Sequence, residues 1–155
     1  MLRVTLAQVN QTVGDFDTNV ARLVAAVRTA ESDGTQVIVA PELAVTGYPP
    51  EDLLLKTSFV DANLRALDEI ARATGETIAV VGFVDRVGST LFNAAAVCAE
   101  GKVAGVYHKH LLPNYGVFDE RRYFEPGTDH LLIDTDQGIL GGCVCEDAWS
   151  PEGPV

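Results

Sequence analysis

Between Thr77 and His108 the chain runs through three apolar, β-branched segments, Thr77 to Asp85, Leu91 to Ala99 and Lys102 to His108, joined only by Gly88-Ser89 and Glu100-Gly101. A parallel crossover needs a dozen or more residues, so links this short impose antiparallel hairpins. What precedes them is built differently. Leu2 to Val9 reads as a strand, and Asp15 or Asp17 can cap a helix in which Val20, Leu23, Val24 and Val27 recur at helical spacing before Gly34 stops it. Gln36 to Ala40 is a short buried strand closed by Pro41. Ser58-Phe59-Val60-Asp61 resembles a capping box with Asp in place of Glu, opening a second helix along Val60, Leu64, Leu67 and Ala71 that ends near Gly75. Helices in the first half and bare hairpins in the second predict an α/β domain whose sheet is mixed.

With 155 residues, 47% hydrophobic and 21% charged, the chain holds enough apolar material for one core. Its formal net charge of −11 repels phosphate backbones and anionic lipid, so neither nucleic acid nor membrane is expected as a partner. No apolar run approaches the roughly 20 residues of a membrane span and no basic start leads into one, so the expected location is the cytoplasm. Three cysteines, Cys98, Cys143 and Cys145, are too few and too odd in number for a disulfide framework; free thiols are expected. Cys143-Val144-Cys145 lacks the two-residue gap of a zinc knuckle and a second cysteine pair, so no metal is expected.

Three ionisable residues stand at the ends of apolar strands. Glu42 follows Ala40-Pro41, Lys109 follows Val106-Tyr107, and Cys145 follows a last hairpin of His130 to Asp134 and Gly138 to Cys145, turned at Asp136-Gln137-Gly138. Alternation along the third hairpin strand puts Val103, Gly105, Tyr107 and Lys109 on one side and Ala104, Val106, His108 and His110 on the other. Ile139 to Val144 are apolar or small, as in a strand covered on both faces. A thiol where such a strand gives way to a helix start lies near backbone N–H groups, which favours thiolate. Cys143, two residues earlier, lies inside the strand and is expected to pack. A thiol, a carboxylate and an ammonium together supply nucleophile, proton shuttle and positive charge, the set required for acyl transfer through a thioester. The long connection Leu111 to Gly127 mixes aromatic and charged residues and is expected to form part of the site. His108, His110 and His130 are expected to be structural.

Pro41-Glu42-Leu43, Lys109 with Leu111-Leu112-Pro113, and Cys145-Glu146-Asp147 resemble, in order, the Glu-Lys-Cys triad of the carbon-nitrogen hydrolase (nitrilase) superfamily. Two longer runs, Thr46 to Leu54 (TGYPPEDLL) and Leu112 to Phe124 (LPNYGVFDERRYF), resemble the glutaminase domains of glutamine-dependent NAD+ synthetases. The resemblance implies a four-layer α-β-β-α sandwich with mixed sheets, of which residues 1–155 are the N-terminal part. It implies Cys145 as nucleophile, Glu42 as general base and Lys109 as stabiliser of the tetrahedral intermediate. It places Tyr115, Tyr48 and Glu146 among substrate contacts, and Glu120 as a second glutamate orienting the lysine. Glutamine is the implied substrate, and a covalently fused synthetase domain is the implied partner, in a homo-oligomer. ATP and magnesium belong to that other domain, since Gly141-Gly142 lacks the lysine and spacing of a phosphate-cradling loop. A free-standing amidase acting on another small amide, or a non-catalytic assembly subunit, are the alternatives. If 155 residues were the whole product, poor stability would be expected, because one layer would lack its cover.

Overall fold

A computed structural model describes residues 1–154. Its centre is a five-stranded sheet whose spatial order follows the chain: β1 (Val4–Leu6), β2 (Val37–Val39), β3 (Ile78–Val87), β4 (Thr90–Ala99) and β5 (Lys102–His108). Helix α1 (Phe16–Ser32) crosses from β1 to β2 and α2 (Thr57–Arg72) from β2 to β3, so these three strands pair in parallel. From β3 to β5 the pairing is antiparallel, as the two tight turns require. The sheet is mixed, as expected.

Both helices cover one face of the sheet. Leu23, Val27 and Ala30 of α1 and Leu67, Ile70 and Ala71 of α2 bury themselves against Ala79, Val81 and Phe83 of β3 and Ala94, Ala96 and Cys98 of β4. A Leu→Ala change at such a site costs about 2–5 kcal/mol. Asp15 does cap α1, its carboxylate accepting the Thr18 N–H at 3.2 Å. The capping box expected at Ser58 is not formed. α2 starts one residue earlier, at Thr57, so Ser58 lies inside the helix, and Asp61 instead pairs with Arg86 of β3 at 2.7 Å.

Two strands differ in length from the expectation. β1 has three residues rather than the eight of Leu2 to Val9, because as an edge strand it can pair only with the equally short β2. The last hairpin, β6 (Leu131–Thr135) and β7 (Gly138–Gly142), forms its own two-stranded sheet and stops at Gly142, short of Cys145. It is not covered on both faces: Leu132 and Ile139 are 69% and 67% exposed, since a ribbon of two strands turns alternate residues outward. Cys143 accordingly lies past the strand and is half-buried.

A register shift also corrects the alternation assigned to β5. Val97 pairs with Gly105 but Cys98 pairs with Val103, so Ala104 is an extra residue. The bulge reverses the phase. Val103 therefore packs with the helix-side core, whereas Tyr107 packs on the opposite face with Ala95 and Val144, beside Val80 and Leu131. That face receives the chain just before Cys145. The described residues thus form one helix layer, one five-stranded sheet and a separate two-stranded sheet. No helix among them is long and apolar enough to cross a membrane.

Candidate active site

Glu42 lies in the turn after β2, pressed against β3. At Gly82 a side chain would meet the Pro41 carbonyl oxygen at 2.3 Å and the Leu43 nitrogen at 2.4 Å, so only glycine lets this turn lie so close. Lys109 is held from both sides at the end of β5, its N–H donating to Asn93 O and its carbonyl accepting from Gly127 N–H, each at 2.8 Å. A side chain at Gly127 would meet His108 O at 2.1 Å, so the long connection can fold back here only because it carries a glycine.

These constraints bring the side chains together. Lys109 is completely buried, and its Nζ donates to Glu42 Oε1 at 2.7 Å and to both oxygens of Glu120 at 2.9 and 3.0 Å. All three ammonium hydrogens are thereby engaged. Asn93, 1% exposed in the middle of β4, reaches across with Nδ2 to Glu42 Oε1 at 2.7 Å and Glu120 Oε2 at 3.2 Å. Because its donor end must face two carboxylates, its orientation is set by charge. Sequence reasoning missed Asn93, since one asparagine among Leu91-Phe92 and three alanines carries no visible signal.

Burial depresses the Lys109 pKa, but the charges and hydrogen bonds of Glu42 and Glu120 outweigh it and hold the group above the ordinary lysine range. Glu120 is pushed up by burial and by Glu42, against the pull of Lys109 and Asn93. Tyr48 donates from Oη to Glu120 Oε1 at 3.4 Å, and burial together with the two glutamates holds its phenol well above the usual range.

Cys145 opens a one-turn 3-10 segment, Cys145–Ala148, with φ +47°. A left-handed backbone at a non-glycine residue costs on the order of 1–3 kcal/mol and aims the side chain where an ordinary turn would not. Cys145 is exposed, and the charges of Glu42 and Lys109 both reach its thiol. Thiolate is not favoured, contrary to expectation. Partial covering of the thiol raises the Cys145 pKa most, then Glu42, while Lys109 and the Glu146 N–H pull it down without prevailing. The predicted helix start is only this short turn, too brief for a macrodipole.

Tyr115, 57% exposed, donates to Glu146 Oε2 at 2.7 Å and meets Phe118 edge-on, its centroid 5.7 Å away. Tyr115 and Glu146 line an open hollow of about 590 Å³ with His110, Arg121 and Ser150. A smaller cleft of about 310 Å³, lined by Tyr48, Glu120, Tyr123 and Phe124 among others, lies beside Glu120, and Cys145 lines neither hollow. The three histidines fall outside the cluster: His108 bonds Asp85 at 2.7 Å, His110 bonds the Asp129 carbonyl at 2.8 Å, and His130 packs on His110. No group of three or more His, Cys, Asp or Glu among the described residues is arranged to hold a metal ion.

Residues 3–155 match the family described as carbon-nitrogen hydrolase. A glutamine-dependent NAD(+) synthetase of Thermotoga maritima is 47% identical over 156 residues, an alignment spanning 99% of this chain and 27% of the relative. The solved glutamine-dependent NAD+ synthetase of Acinetobacter baumannii superposes with a TM-score of 0.91 at 38% identity, over 96% of this chain and 28% of that one. An amidase of Nesterenkonia sp. AN1, seen after Michael addition of acrylamide at its active site cysteine, superposes with a TM-score of 0.82 at 25% identity, over 98% of this chain and 60% of that one. The chain thus spans little more than a quarter of the synthetases it matches.

Proposed function

Because this chain belongs to the carbon-nitrogen hydrolase family, we propose that its site hydrolyses the side-chain amide of glutamine, as the N-terminal part of the glutaminase domain of a glutamine-dependent NAD+ synthetase. The observation that carries the proposal is the buried Lys109 ammonium held between Glu42 and Glu120, with the Cys145 thiol within reach of the charges of Glu42 and Lys109. A cation this deeply buried is retained where charge is put to use.

In the proposed cycle Cys145 Sγ attacks the amide carbon as Glu42 takes the thiol proton, and the carbonyl electron pair moves onto oxygen. The resulting oxyanion draws on Lys109 and on the backbone N–H that follows Cys145, each such donor being worth on the order of 3 kcal/mol. Lys109 has a hydrogen to offer, because it holds Glu120 through two bonds and can exchange one of them. Collapse of the intermediate breaks the C–N bond, and Glu42 returns its proton to the departing nitrogen, releasing ammonia. Water then attacks the thioester with Glu42 again as base, freeing glutamate and the thiol. Tyr115 and Glu146, at the open hollow, are the proposed contacts for the amino-acid end of glutamine, and Glu120 orients Lys109.

The ammonia would serve ATP-dependent amidation of deamido-NAD in a fused synthetase domain. The ATP and magnesium sites are assigned to that domain, since these residues offer no phosphate-cradling loop. Likeness to the Nesterenkonia amidase favours a second reading, a stand-alone amidase on another small amide. Both are tested with full-length protein carrying Cys145→Ala. Loss of glutamine-supported NAD formation with survival of ammonia-supported formation is expected. Undiminished use of glutamine would sink the proposal, and absence of NAD formation from either nitrogen source in the unaltered protein would favour the amidase.

A further inference from the structure

We propose that Asp147 is the positioning residue that locks the Cys145 turn in register with Lys109. Asp147 is completely buried, and its carboxylate accepts four hydrogen bonds: from Tyr107 Oη at 2.7 Å, His110 N–H at 3.1 Å, Leu111 N–H at 2.7 Å and Val144 N–H at 3.1 Å. His110 and Leu111 directly follow Lys109 in the chain, Tyr107 precedes it by two residues, and Val144 directly precedes Cys145. One side chain therefore ties the segment that carries the ammonium to the turn that carries the thiol. The Asp147 N–H returns to the Val144 carbonyl at 3.1 Å, closing that turn around Cys145.

The donor set explains why the residue is an aspartate. Three of the four donors are backbone amides that cannot reverse their polarity, and they engage both oxygens: His110 and Leu111 meet Oδ1, Val144 meets Oδ2. Only an ionised carboxylate is acceptor-only on both atoms. An asparagine that keeps its oxygen toward His110 and Leu111 must turn its NH2 toward the Val144 N–H, donor against donor. The turn it would release is the one holding Cys145 at φ +47°. The bonds of the Asp147 carboxylate go to Tyr107, His110, Leu111 and Val144 and not to the Cys145 sulfur, so its influence on that thiol runs through the backbone.

The inference rests on Cys145 and Lys109 acting together as proposed above, and the test separates the two. Full-length protein is prepared in a Cys143→Ala background, because the Asp147 charge acts on the Cys143 thiol as well. Cys98, whose thiol burial and Asp68 push up to about 12, is a silent internal control. In Asp147→Asn, glutamine-supported kcat is expected to fall about ten- to a hundredfold while KM moves less than about threefold, with ammonia-supported synthesis unchanged. A second readout is the pH profile of iodoacetamide alkylation at Cys145, located by peptide mass spectrometry. The groups facing this thiol are Glu42, Lys109, Tyr48, Tyr115 and the Glu146 N–H. As the freed thiol moves away from Glu42, its profile is expected to shift toward lower pH even as turnover falls.

Tyr107→Phe removes one donor and keeps the carboxylate, so it is expected to move both readouts in the same directions by less, about two- to tenfold in kcat. It decides the matter if Asp147→Asn does not fold. A wild-type kcat with a wild-type alkylation profile, or a lower melting temperature with an unmoved profile, would overturn the proposal. Should Cys145→Ala still use glutamine, the proposed reaction fails, and the alkylation profile alone then upholds or overturns the role of Asp147.

Discussion

Removing the Lys109 ammonium tests the site where its charge is most concentrated. In Lys109→Met, which keeps much of the side-chain volume, Glu42 and Glu120 remain where both bonded to Nζ, sharing only the Nδ2 donor of Asn93. Glu120 is 5% exposed and cannot turn to water for relief. Breaking one partner out of a buried ion pair costs about 3–5 kcal/mol. At about 2–4 °C per kcal/mol for a unit of 150–250 residues, the melting temperature should fall by roughly 6–20 °C near pH 8. The pH dependence fixes the cause. Burial already raises the Glu120 pKa, and Lys109 is first among the influences holding it down, so the variant raises it further. A carboxyl with a raised folded-state pKa favours folding below its unfolded value, about 4.3, and loses that contribution as pH climbs through the folded value. The gap between variant and wild type should therefore be small near pH 4.5 and widen toward pH 8. Thermal unfolding of full-length protein across that range measures it, and adding Glu120→Gln should recover part of the loss. A gap that is constant with pH, or widest in acid, would refute the charge balance described for this cluster.

Glu42→Gln should lower glutamine hydrolysis by about 10²–10⁴-fold through loss of the base, yet speed alkylation of Cys145 at pH 7, because Glu42 is second only to burial in holding that thiol up; parallel loss of both rates would contradict the proposed proton transfer. Asn93→Ala deletes the donor shared by Glu42 and Glu120 and should destabilise the fold by about 1.5–3 kcal/mol in denaturant titrations. Asn93→Asp, which adds a third carboxylate, should be worse at pH 8 than at pH 5, and equal stability at the two would count against the bridging role.

The mixed sheet was legible because loop length alone dictates it: two-residue links at Gly88-Ser89 and Glu100-Gly101 permit only hairpins, and the structure has them. The bulge at Ala104 left one signal in the sequence, the isolated strand glycine Gly105 directly beside it, but the shift itself is set by pairing with β4. Glu42, Lys109 and Cys145 stood out as ionisable groups closing apolar strands, and the fold does bring them together. Asn93 did not stand out, and Asp147 did so only as part of the Cys145-Glu146-Asp147 run, with no role of its own. Each looks like local chemistry in one dimension, a polar residue in a strand and a carboxylate at a turn start, and acquires its partners only from segments far away in sequence: 51 residues for Asn93 to Glu42, 40 for Asp147 to Tyr107.

The thiol was misjudged for a related reason, and the correction bears on how such a site would work. A helix N-terminus would have lowered the Cys145 pKa, but only a short turn exists, and the nearby charges of Glu42, Glu120 and Lys109 sum to −1 when all are ionised. Ionising the sulfur would add a second negative charge beside that cluster. Glu42 therefore disfavours the thiolate and helps hold the thiol above its ordinary range. In the proposed reaction the proton leaves as the S–C bond forms, so negative charge passes to the carbonyl oxygen rather than accumulating on sulfur. Lys109, whose hydrogens are fully engaged in the resting state, gains a new anion only at that moment. Its attraction then acts on the transition state more than on bound substrate, which is the condition for raising kcat rather than merely tightening binding.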